Sequence, residues 1–332
     1  MIQMSIRTAS IIPPYEAIDC TDVRIAANRI SGMVRRVTLA SVDPATSDRA
    51  DVFLAYEFTQ HTGSFKARGA ANLATYHLDQ GRMPEAGVVI ASGGNAGLAC
   101  AWAAKATSTK ATVFLPATAP LFKVAKLIEY GADVRLVGTE YAHALDASTK
   151  YASASGALHS HAYDHPLIAA GAGTVALEII EEVGNIDTVI VAVGGGGLFS
   201  GIAAAVMNTG IRVVAVEPEN CRAFNTALDA GGPVDVSVNS IAADSLGARR
   251  TSQMAYELAQ RLDVTSALVP DEAISRARQL LWDQRRIVVE NGAAAALAAL
   301  LTGVYVPKTR ERVVVVLCGA NTDPADLVHR NP

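Results

Sequence analysis

The chain has 332 residues, of which 50% are hydrophobic and 5% aromatic, and its formal net charge is −4. A chain of this length can bury a sizeable core, and a typical domain size of about 150 residues predicts two domains. The slightly acidic charge, with no run of basic residues, argues against nucleic acid and anionic membranes as partners.

Short β-type runs alternate with longer helical runs along the chain. The first helix in this pattern follows Ser64, which is a good N-cap, and carries Lys66 in its first turn. Residues 87–138 are predicted as strand, helix, strand, helix and strand, with Gly131 marking a helix end. The pattern resumes after Pro166 and includes the strands TVIVAV, IRVVAVE and RVVVVL. This alternation predicts an α/β fold with parallel sheets in two modules.

The cysteines and histidines are scattered. His159 and His161 have no carboxylate or cysteine at metal-ligand spacing, so we expect no metal site. The N-terminal residues lack the apolar core of a signal peptide, and no apolar run reaches the roughly 18 residues of a membrane helix. We therefore expect a soluble cytoplasmic protein. The chain has four widely spaced cysteines, Cys20, Cys100, Cys221 and Cys318. Their spacing fits a protein of a reducing compartment.

Four consecutive glycines, Gly194 to Gly197, lie between a predicted strand and a predicted helix. Residues without a Cβ let the backbone wrap around an anion, and a helix N terminus supplies free N–H groups and a positive dipole end. The segment therefore predicts a phosphate-binding turn. A dinucleotide site is an alternative, because Glu217 lies where such a site places its ribose-binding acid, although Phe199 or Ser200 replaces the third glycine.

Two further strand ends carry polar residues. In ASGGNAGLA, which begins at Ala91, Ser92 and Asn95 are either helix caps or parts of a nest of N–H groups for a small carboxylate. In LCGAN, Cys318 taken alone is typical of a buried core cysteine. Ligands of parallel α/β sheets bind outside the carboxyl ends of the strands, so these turns and the glycine turn can face one crevice.

Lys66 follows Gly63-Ser64-Phe65 in the stretch TGSFKARGA. A lone lysine on a helix is usually a surface charge, but a cation at a helix N terminus or in a buried site has a lowered pKa. A lysine with a lowered pKa suits Schiff-base chemistry. Together with a phosphate turn and a carboxylate nest, Lys66 predicts pyridoxal 5′-phosphate and an amino-acid substrate.

Several of these stretches are recognisable as a set. TGSFKARGA, SGGNAG, GGGGL and LCGAN, with AYDHP, VAVEPEN, IAADSLG and VENGAAA between them, resemble the serine/threonine dehydratase branch of the fold type II (tryptophan synthase β-like) pyridoxal-phosphate enzymes. The resemblance runs from about residue 20 to the C terminus. It implies a homodimer whose subunit has a large cofactor-binding domain, residues 1–86 and 165–332, and a small substrate-binding domain, residues 87–164, inserted into it.

The resemblance also implies a role for each matching residue. Lys66 forms the Schiff base with the cofactor, and Phe65 lies beside the ring. Asn95 contacts the ring hydroxyl, and Cys318 faces the pyridine nitrogen. The phosphate is bound by Gly194, Gly195, Gly196, Gly197 and Leu198. The substrate carboxylate is bound, largely through backbone N–H groups, by Ser92, Gly93, Asn95 and Ala96.

The implied reaction is β-elimination from L-serine or L-threonine. Lys66 is the base that removes the Cα proton, the β-hydroxyl leaves, and a 2-oxo acid and ammonia are released. A thiol at Cys318 does not favour a protonated pyridine nitrogen. The electron sink is then weaker, which suits elimination.

Departures from the resembling enzymes refine this expectation. Gly93 stands where serine racemases have an acid/base serine, so racemisation ranks below dehydration. Glu217 is retained from the divalent-metal site of that branch, but Ala223 replaces its aspartate, which argues against a metal requirement. Ala96 resembles the serine-dehydratase subgroup. The short segment after LCGAN leaves no room for the regulatory domain of biosynthetic threonine dehydratases.

Two alternatives remain open. The same fold can act on a less usual β-substituted amino acid, or catalyse β-replacement as cysteine synthases do, because these motifs do not encode the preferred side chain. A non-catalytic nucleotide-binding protein is the second alternative, and it rests on GGGGL and Glu217 alone.

Overall fold

Ten strands form the framework of the part of the protein that the computed structural model describes, residues 18–42 and 50–328. The strands are β1 (Leu39–Ser41), β2 (Ala50–Ala55), β3 (Val88–Ala91), β4 (Ala111–Leu115), β5 (Asp133–Leu136), β6 (Leu158–His159), β7 (Thr188–Ala192), β8 (Arg212–Pro218), β9 (Val264–Val269) and β10 (Glu311–Val316). They form a six-stranded sheet, in the order β1-β2-β10-β7-β8-β9, and a four-stranded sheet, in the order β5-β4-β3-β6.

Nearly all neighbouring strands are parallel, which confirms the predicted α/β fold with parallel sheets. Strands β7 and β10 are Val- and Ile-rich and buried almost throughout, as strands covered on both faces must be. Strand β1 differs from the prediction, because it pairs with β2 in the antiparallel direction. The strands of the smaller sheet all lie between residues 88 and 159, and therefore between β2 and β7 in the chain.

The helices connect these strands in alternation. They are α1 (Cys20–Arg29), α2 (Lys66–Asp79), α3 (Asn95–Ala106), α4 (Leu121–Glu129), α5 (Tyr141–Ser155), α6 (Pro166–Val183), α7 (Gly197–Val206), α8 (Ala223–Ala230), α9 (Ala243–Leu246), α10 (Gln253–Ala259), α11 (Asp271–Arg285), α12 (Asn291–Leu301) and α13 (Ala325–Val328). Within the described ranges, none of the helices is both long and apolar enough to cross a lipid bilayer.

Ser64 does not cap α2, contrary to the sequence prediction. The N-cap residue is Phe65, which makes no side-chain capping bond. Ser64 is instead extended and forms an antiparallel bridge with Gly319. Its buried hydroxyl oxygen has no hydrogen-bond partner in the described structure. The tertiary pairing with the segment after β10 therefore overrides the local capping preference of serine.

Helix α6 packs closely on both α2 and α7. A Cβ on Gly69 of α2 would lie 2.6 Å from the Ile168 carbonyl oxygen, and a Cβ on Gly201 of α7 would lie 2.2 Å from the Ala169 carbonyl oxygen. Real Cβ atoms do not approach other atoms so closely, so these contacts require glycine. Helix α6 thus sets the spacing between the start of α2 and the start of α7.

A buried ionic network fixes α2 to its surroundings. The Arg68 guanidinium is fully buried and donates to both carboxylate oxygens of Glu57, at 2.6 and 2.9 Å. It also donates to both carboxylate oxygens of Glu178 on α6, at 2.7 and 2.8 Å, and to Thr174 Oγ1. Paired bonds of this kind fix orientation as well as distance. Arg68 therefore joins the turn after β2, helix α2 and helix α6.

Arg68→Met should lower the free energy of unfolding by about 3–5 kcal/mol, because it leaves the buried Glu57 carboxylate without its counter-charge. Urea denaturation followed by circular dichroism measures the change. Arg36→Met is the matched control, since its ion pair with Glu181 is exposed and should contribute little. Equal unfolding midpoints for the two variants would contradict the structural role of Arg68.

Candidate active site

Lys66 is the first residue of α2 and points into the protein. Its Nζ donates to the Ala162 carbonyl oxygen at 3.1 Å and lies 4.6 Å from the centroid of the Phe65 ring. Burial lowers the pKa of Lys66, and a negative charge on Cys318 or Glu290 would oppose that shift. A buried amine with a lowered pKa is more often neutral and nucleophilic than a surface lysine.

Cys318 lies beside Lys66 because the segments around them pair in the antiparallel direction. The Phe65 N–H donates to the Cys318 carbonyl oxygen at 3.0 Å, and the Ala320 N–H donates to the Gly63 carbonyl oxygen at 2.9 Å. Burial raises the pKa of the Cys318 thiol, so the side chain is neutral at physiological pH. The strand end predicted from LCGAN and the lysine motif thus meet in one place.

The glycine turn between β7 and α7 is shaped to hold an anion. Gly196, the N-cap of α7, has φ +98°, and a Cβ on Gly195 would lie 2.4 Å from the Tyr163 ring. The first helical bond runs from the Ser200 N–H to the Gly196 carbonyl oxygen. The N–H groups of Gly197 and the two residues after it therefore have no partner within the helix. A phosphate group fits this turn.

A second helix start, that of α3, follows β3. Its N-cap is Gly94, with no side-chain capping bond, so neither Ser92 nor Asn95 caps the helix. The first helical bond runs from the Leu98 N–H to the Gly94 carbonyl oxygen, which leaves the N–H groups of Asn95 and the next two residues free of helical partners. The free N–H groups are compatible with the predicted nest for a carboxylate. The absence of a side-chain capping bond at α3 rules out the alternative that Ser92 or Asn95 caps the helix. A Cβ on Gly93 would lie 2.8 Å from Leu115 Cδ2.

The Asn95 side chain crosses to the six-stranded sheet. Its Nδ2 donates to the two carboxylate oxygens of Glu290, at 2.8 and 3.0 Å, and its Oδ1 accepts from Asn321 Nδ2 at 2.6 Å. Burial raises the pKa of Glu290 to about 7. An amide nitrogen carries two hydrogens, and one of them serves both oxygens of the carboxylate, so Asn95 keeps the other N–H for a ligand.

Several residues of the site were not predicted to belong to it. Tyr163 packs on the glycine turn, and Ala162 accepts the bond from Lys66. His161 Nδ1 accepts from the N–H groups of Tyr163 and Asp164, at 3.2 and 2.7 Å, and burial lowers the pKa of His161 to about 4. The imidazole is therefore neutral and shapes the 161–164 turn. In the sequence, this turn is marked by the stretch AYDHP, and Glu290 lies in the stretch VENGAAA. Neither stretch by itself indicates a role for these residues.

Glu217 does not serve the glycine turn. Its buried carboxylate accepts from the N–H groups of Phe224 and Asn225, at 2.8 and 2.7 Å, and thereby satisfies the start of α8. Phe199 and Ser200, the residues at the third glycine position, are fully buried. These contacts argue against the dinucleotide alternative. Among the described residues, no group of three His, Cys, Asp or Glu side chains is arranged to hold a metal ion.

Comparisons with known proteins place the chain in a family. Residues 35–319 match the family of pyridoxal-phosphate dependent enzymes. L-threonine ammonia-lyase of Thermotoga maritima is 32% identical over 309 residues, which are 92% of this chain and 76% of that protein. Phenylserine dehydratase of Ralstonia pickettii is 37% identical over 272 residues, which are 81% of this chain and 82% of that protein. The structure of maize serine racemase matches with a TM-score of 0.88 at 30% identity, and covers 94% of this chain and 96% of that one.

The chain belongs to the pyridoxal-phosphate dependent enzymes, with the fold type II architecture. This confirms the family and the cofactor, pyridoxal 5′-phosphate, that the sequence motifs predicted. The residues fit that cofactor, since a buried lysine and an anion-binding turn are both attached to the 162–163 segment, the lysine through Ala162 and the turn through Tyr163.

Gly195→Ala should weaken binding of pyridoxal phosphate, because the added methyl group collides with the Tyr163 ring. Overpacking of this kind costs about 1–3 kcal/mol, which corresponds to roughly 5- to 150-fold in the dissociation constant. Titration of the protein with the cofactor, followed by tryptophan fluorescence, measures the constant. Gly232→Ala is the control, since a Cβ there would meet no atom within 4 Å. Unchanged binding in Gly195→Ala would rule out this turn as the phosphate site.

Proposed function

We propose that the protein is a lyase, an L-threonine/L-serine ammonia-lyase, that catalyses the dehydration and deamination of these amino acids to a 2-oxo acid and ammonia. The observation that carries the proposal is the position of Lys66, a half-buried lysine with a lowered pKa near a turn suited to an anion, in a chain of the pyridoxal-phosphate family. The likeness to L-threonine ammonia-lyase over 92% of the chain supports the choice of substrate.

The cofactor would be held by groups from the starts of α2, α3 and α7 and from the end of β10. Lys66 would bond to it covalently, Phe65 would pack beside the ring, Asn95 would donate to the ring hydroxyl, and Cys318 would face the pyridine nitrogen. When bound, the cofactor supplies an electron sink for the pair of electrons left on Cα. The neutral Cys318 thiol would leave the pyridine nitrogen without a counter-charge. The residues proposed for the phosphate are Gly194, Gly195, Gly196, Gly197 and Leu198.

The substrate carboxylate would bind at the start of α3. The N–H groups there have no helical partner, and the positive end of the helix dipole favours an anion. The residues proposed for this contact are Ser92, Gly93, Asn95 and Ala96. Backbone N–H groups hold the carboxylate without adding a proton-exchanging side chain near Cα.

Lys66 would act as the general base. Burial favours its neutral amine, which can accept the Cα proton. The Ala162 carbonyl oxygen accepts a hydrogen bond from Nζ and limits where the amine can point. The His161 imidazole keeps that carbonyl in place through the backbone of the same turn.

Lys66→Ala should reduce release of 2-oxo acid from L-serine and L-threonine by at least about 1,000-fold, which is within the range expected for loss of a general base. Loss of the covalent bond to the cofactor would reduce it further. A coupled assay for the 2-oxo acid and a direct assay for ammonia both measure it. Lys150→Ala, an exposed lysine on α5, should behave as the unaltered protein. Full activity in Lys66→Ala would sink the proposal.

A less usual β-hydroxy amino acid is the second candidate substrate, because phenylserine dehydratase of Ralstonia pickettii is 37% identical to this chain. β-Replacement chemistry on the same fold also stays a candidate. A panel of β-hydroxy amino acids, including L-serine, L-threonine and phenylserine, separates these cases. Release of ammonia from phenylserine alone would move the function to that substrate class.

Racemisation is the third candidate, because the fold matches maize serine racemase at a TM-score of 0.88. Gly93 has no side chain to donate a proton to the second face of Cα, so D-serine should form much more slowly than pyruvate. Gly93→Ser should raise the ratio of racemisation to elimination by about tenfold or more, after a small shift of the Leu115 side-chain end that a Cβ would meet. Chiral chromatography measures the ratio. D-serine formation by the unaltered protein as fast as elimination would refute the ranking.

We also propose a cytoplasmic homodimer that serves amino-acid catabolism. Its subunit would have a small substrate-binding domain, residues 87–164, inserted in a large one, residues 1–86 and 165–332. The confinement of the smaller sheet to residues 88–159 supports this division. All four cysteines are free thiols, which fits a reducing compartment. Light scattering after size-exclusion chromatography measures the subunit number.

A further inference from the structure

Glu290 is a buried carboxylate in the candidate site with no role in the reaction proposed above. It is 3% exposed and is the N-cap residue of α12. Its backbone is fixed on both sides, because its N–H donates to the Gly319 carbonyl oxygen at 3.0 Å and its carbonyl oxygen accepts from the Ala294 N–H at 3.1 Å. The side chain therefore has little freedom to leave the site.

Among the described residues, Asn95 is the one side chain that hydrogen-bonds to the Glu290 carboxylate. Within residues 18–42 and 50–328, Glu290 takes part in no ion pair, and both of its oxygens accept from the Asn95 amide. A carboxylate this deeply buried is costly unless it is paired. Its position next to the residue proposed to contact the ring hydroxyl indicates a role there.

The contacts of Asn95 admit one orientation of its amide. Asn321 donates to Oδ1, and Glu290 accepts from Nδ2. A flipped amide would set its nitrogen against the Asn321 nitrogen and its oxygen against the carboxylate. The two oxygens of one carboxylate lie too close together to take both Nδ2 hydrogens, so one hydrogen is shared between them and the other remains. Asn95 therefore presents a donor, and not an acceptor, to a ligand.

We propose that Glu290 is a positioning residue, which turns the Asn95 N–H toward the bound cofactor and holds it less firmly when the carboxylate is protonated. The proposal rests on the proposed function only in taking pyridoxal phosphate as the ligand that Asn95 contacts. An N–H donor at this place stabilises a negatively charged oxygen on the ligand. Glu290 would thereby couple the pH of the medium to cofactor binding.

The charges around Glu290 set the pH range. Burial raises its pKa to about 7, Asp244 on α9 raises it too, and the Asn95 bond and the Lys66 charge lower it. The neutral Cys318 thiol faces it from the end of β10. From α11, Arg278 bonds to the residues on either side, Val289 and Asn291. Above about pH 7 the carboxylate holds Asn95 by a charge-assisted bond, and below it that bond weakens.

Glu290→Gln tests the proposal, because glutamine keeps an acceptor for the Asn95 N–H but cannot titrate. The measurement is the dissociation constant for pyridoxal phosphate between pH 5.5 and pH 9, followed by tryptophan fluorescence. Between pH 8 and pH 6, we expect the affinity of the unaltered protein for the cofactor to fall by about fivefold or more relative to the fall measured for Glu290→Gln over the same range. The free cofactor's own phosphate, with a second pKa of about 6, acts equally on both proteins and cancels in the comparison.

Three further variants make the test specific. Glu182→Gln removes an exposed carboxylate of α6 and should follow the unaltered protein. Glu290→Ala removes the acceptor as well as the charge, and should bind about tenfold or more weakly at every pH. Asp244→Asn should move the pH transition downward, because removing a neighbouring negative charge lowers the pKa of Glu290. Circular dichroism checks the fold of each variant.

The same pH dependence in Glu290→Gln and in the unaltered protein would overturn the proposal, and so would an unmoved transition in Asp244→Asn. A folded Glu290→Ala protein that binds the cofactor normally would also overturn it. The pH profile of kcat/KM should lose part of its acid limb in Glu290→Gln. Failure of the unaltered, cofactor-bound protein to release any 2-oxo acid would refute the proposed function and leave this binding test in force.

Discussion

The candidate site depends on one buried guanidinium, that of Arg68, held between the carboxylates of Glu57 and Glu178. A buried ionic network of this kind contributes little net stability compared with apolar packing, but it fixes geometry when every partner is satisfied. Arg68 lies two residues after Lys66 in the same helix. The network therefore orients the start of α2 relative to α6. The close contacts of α6 with α7 then fix the position of the glycine turn relative to Lys66.

In the proposed reaction, two helix starts bind the anionic groups and Lys66 carries out the proton transfer. The N–H groups at the starts of α3 and α7 have no helical partners and favour anions through their dipoles. Backbone groups can thus hold a phosphate and a carboxylate without any further cation. The Lys66 amine, with its pKa lowered by burial, is then free for proton transfer. The neutral Cys318 thiol beside it has no negative charge that would stabilise the protonated form of the amine.

Much of the fold and the local chemistry of the site follow from short-range rules. The alternation of strands and helices, the glycine turn and the lysine at a helix start depend on periodicity, missing Cβ atoms and helix dipoles, which single stretches of sequence encode. The extended Ser64 depends on its pairing with the distant Gly319, so local preference predicted the wrong helix cap. The antiparallel direction of β1 depends on its pairing with β2, which the alternation of strands and helices does not specify. Glu290 is 195 residues from its partner Asn95. Only the tertiary structure brings such pairs together, although the stretch VENGAAA already marked the region.

The covalent partner of the cofactor is the most direct test of the site. The cofactor-loaded protein can be reduced with sodium borohydride, digested and analysed by peptide mass spectrometry. We expect the cofactor mass on the peptide that contains Lys66 and on no other lysine peptide. Label on a different lysine, or a cofactor that dialyses away after reduction, would contradict the assignment of Lys66 and with it the site described above.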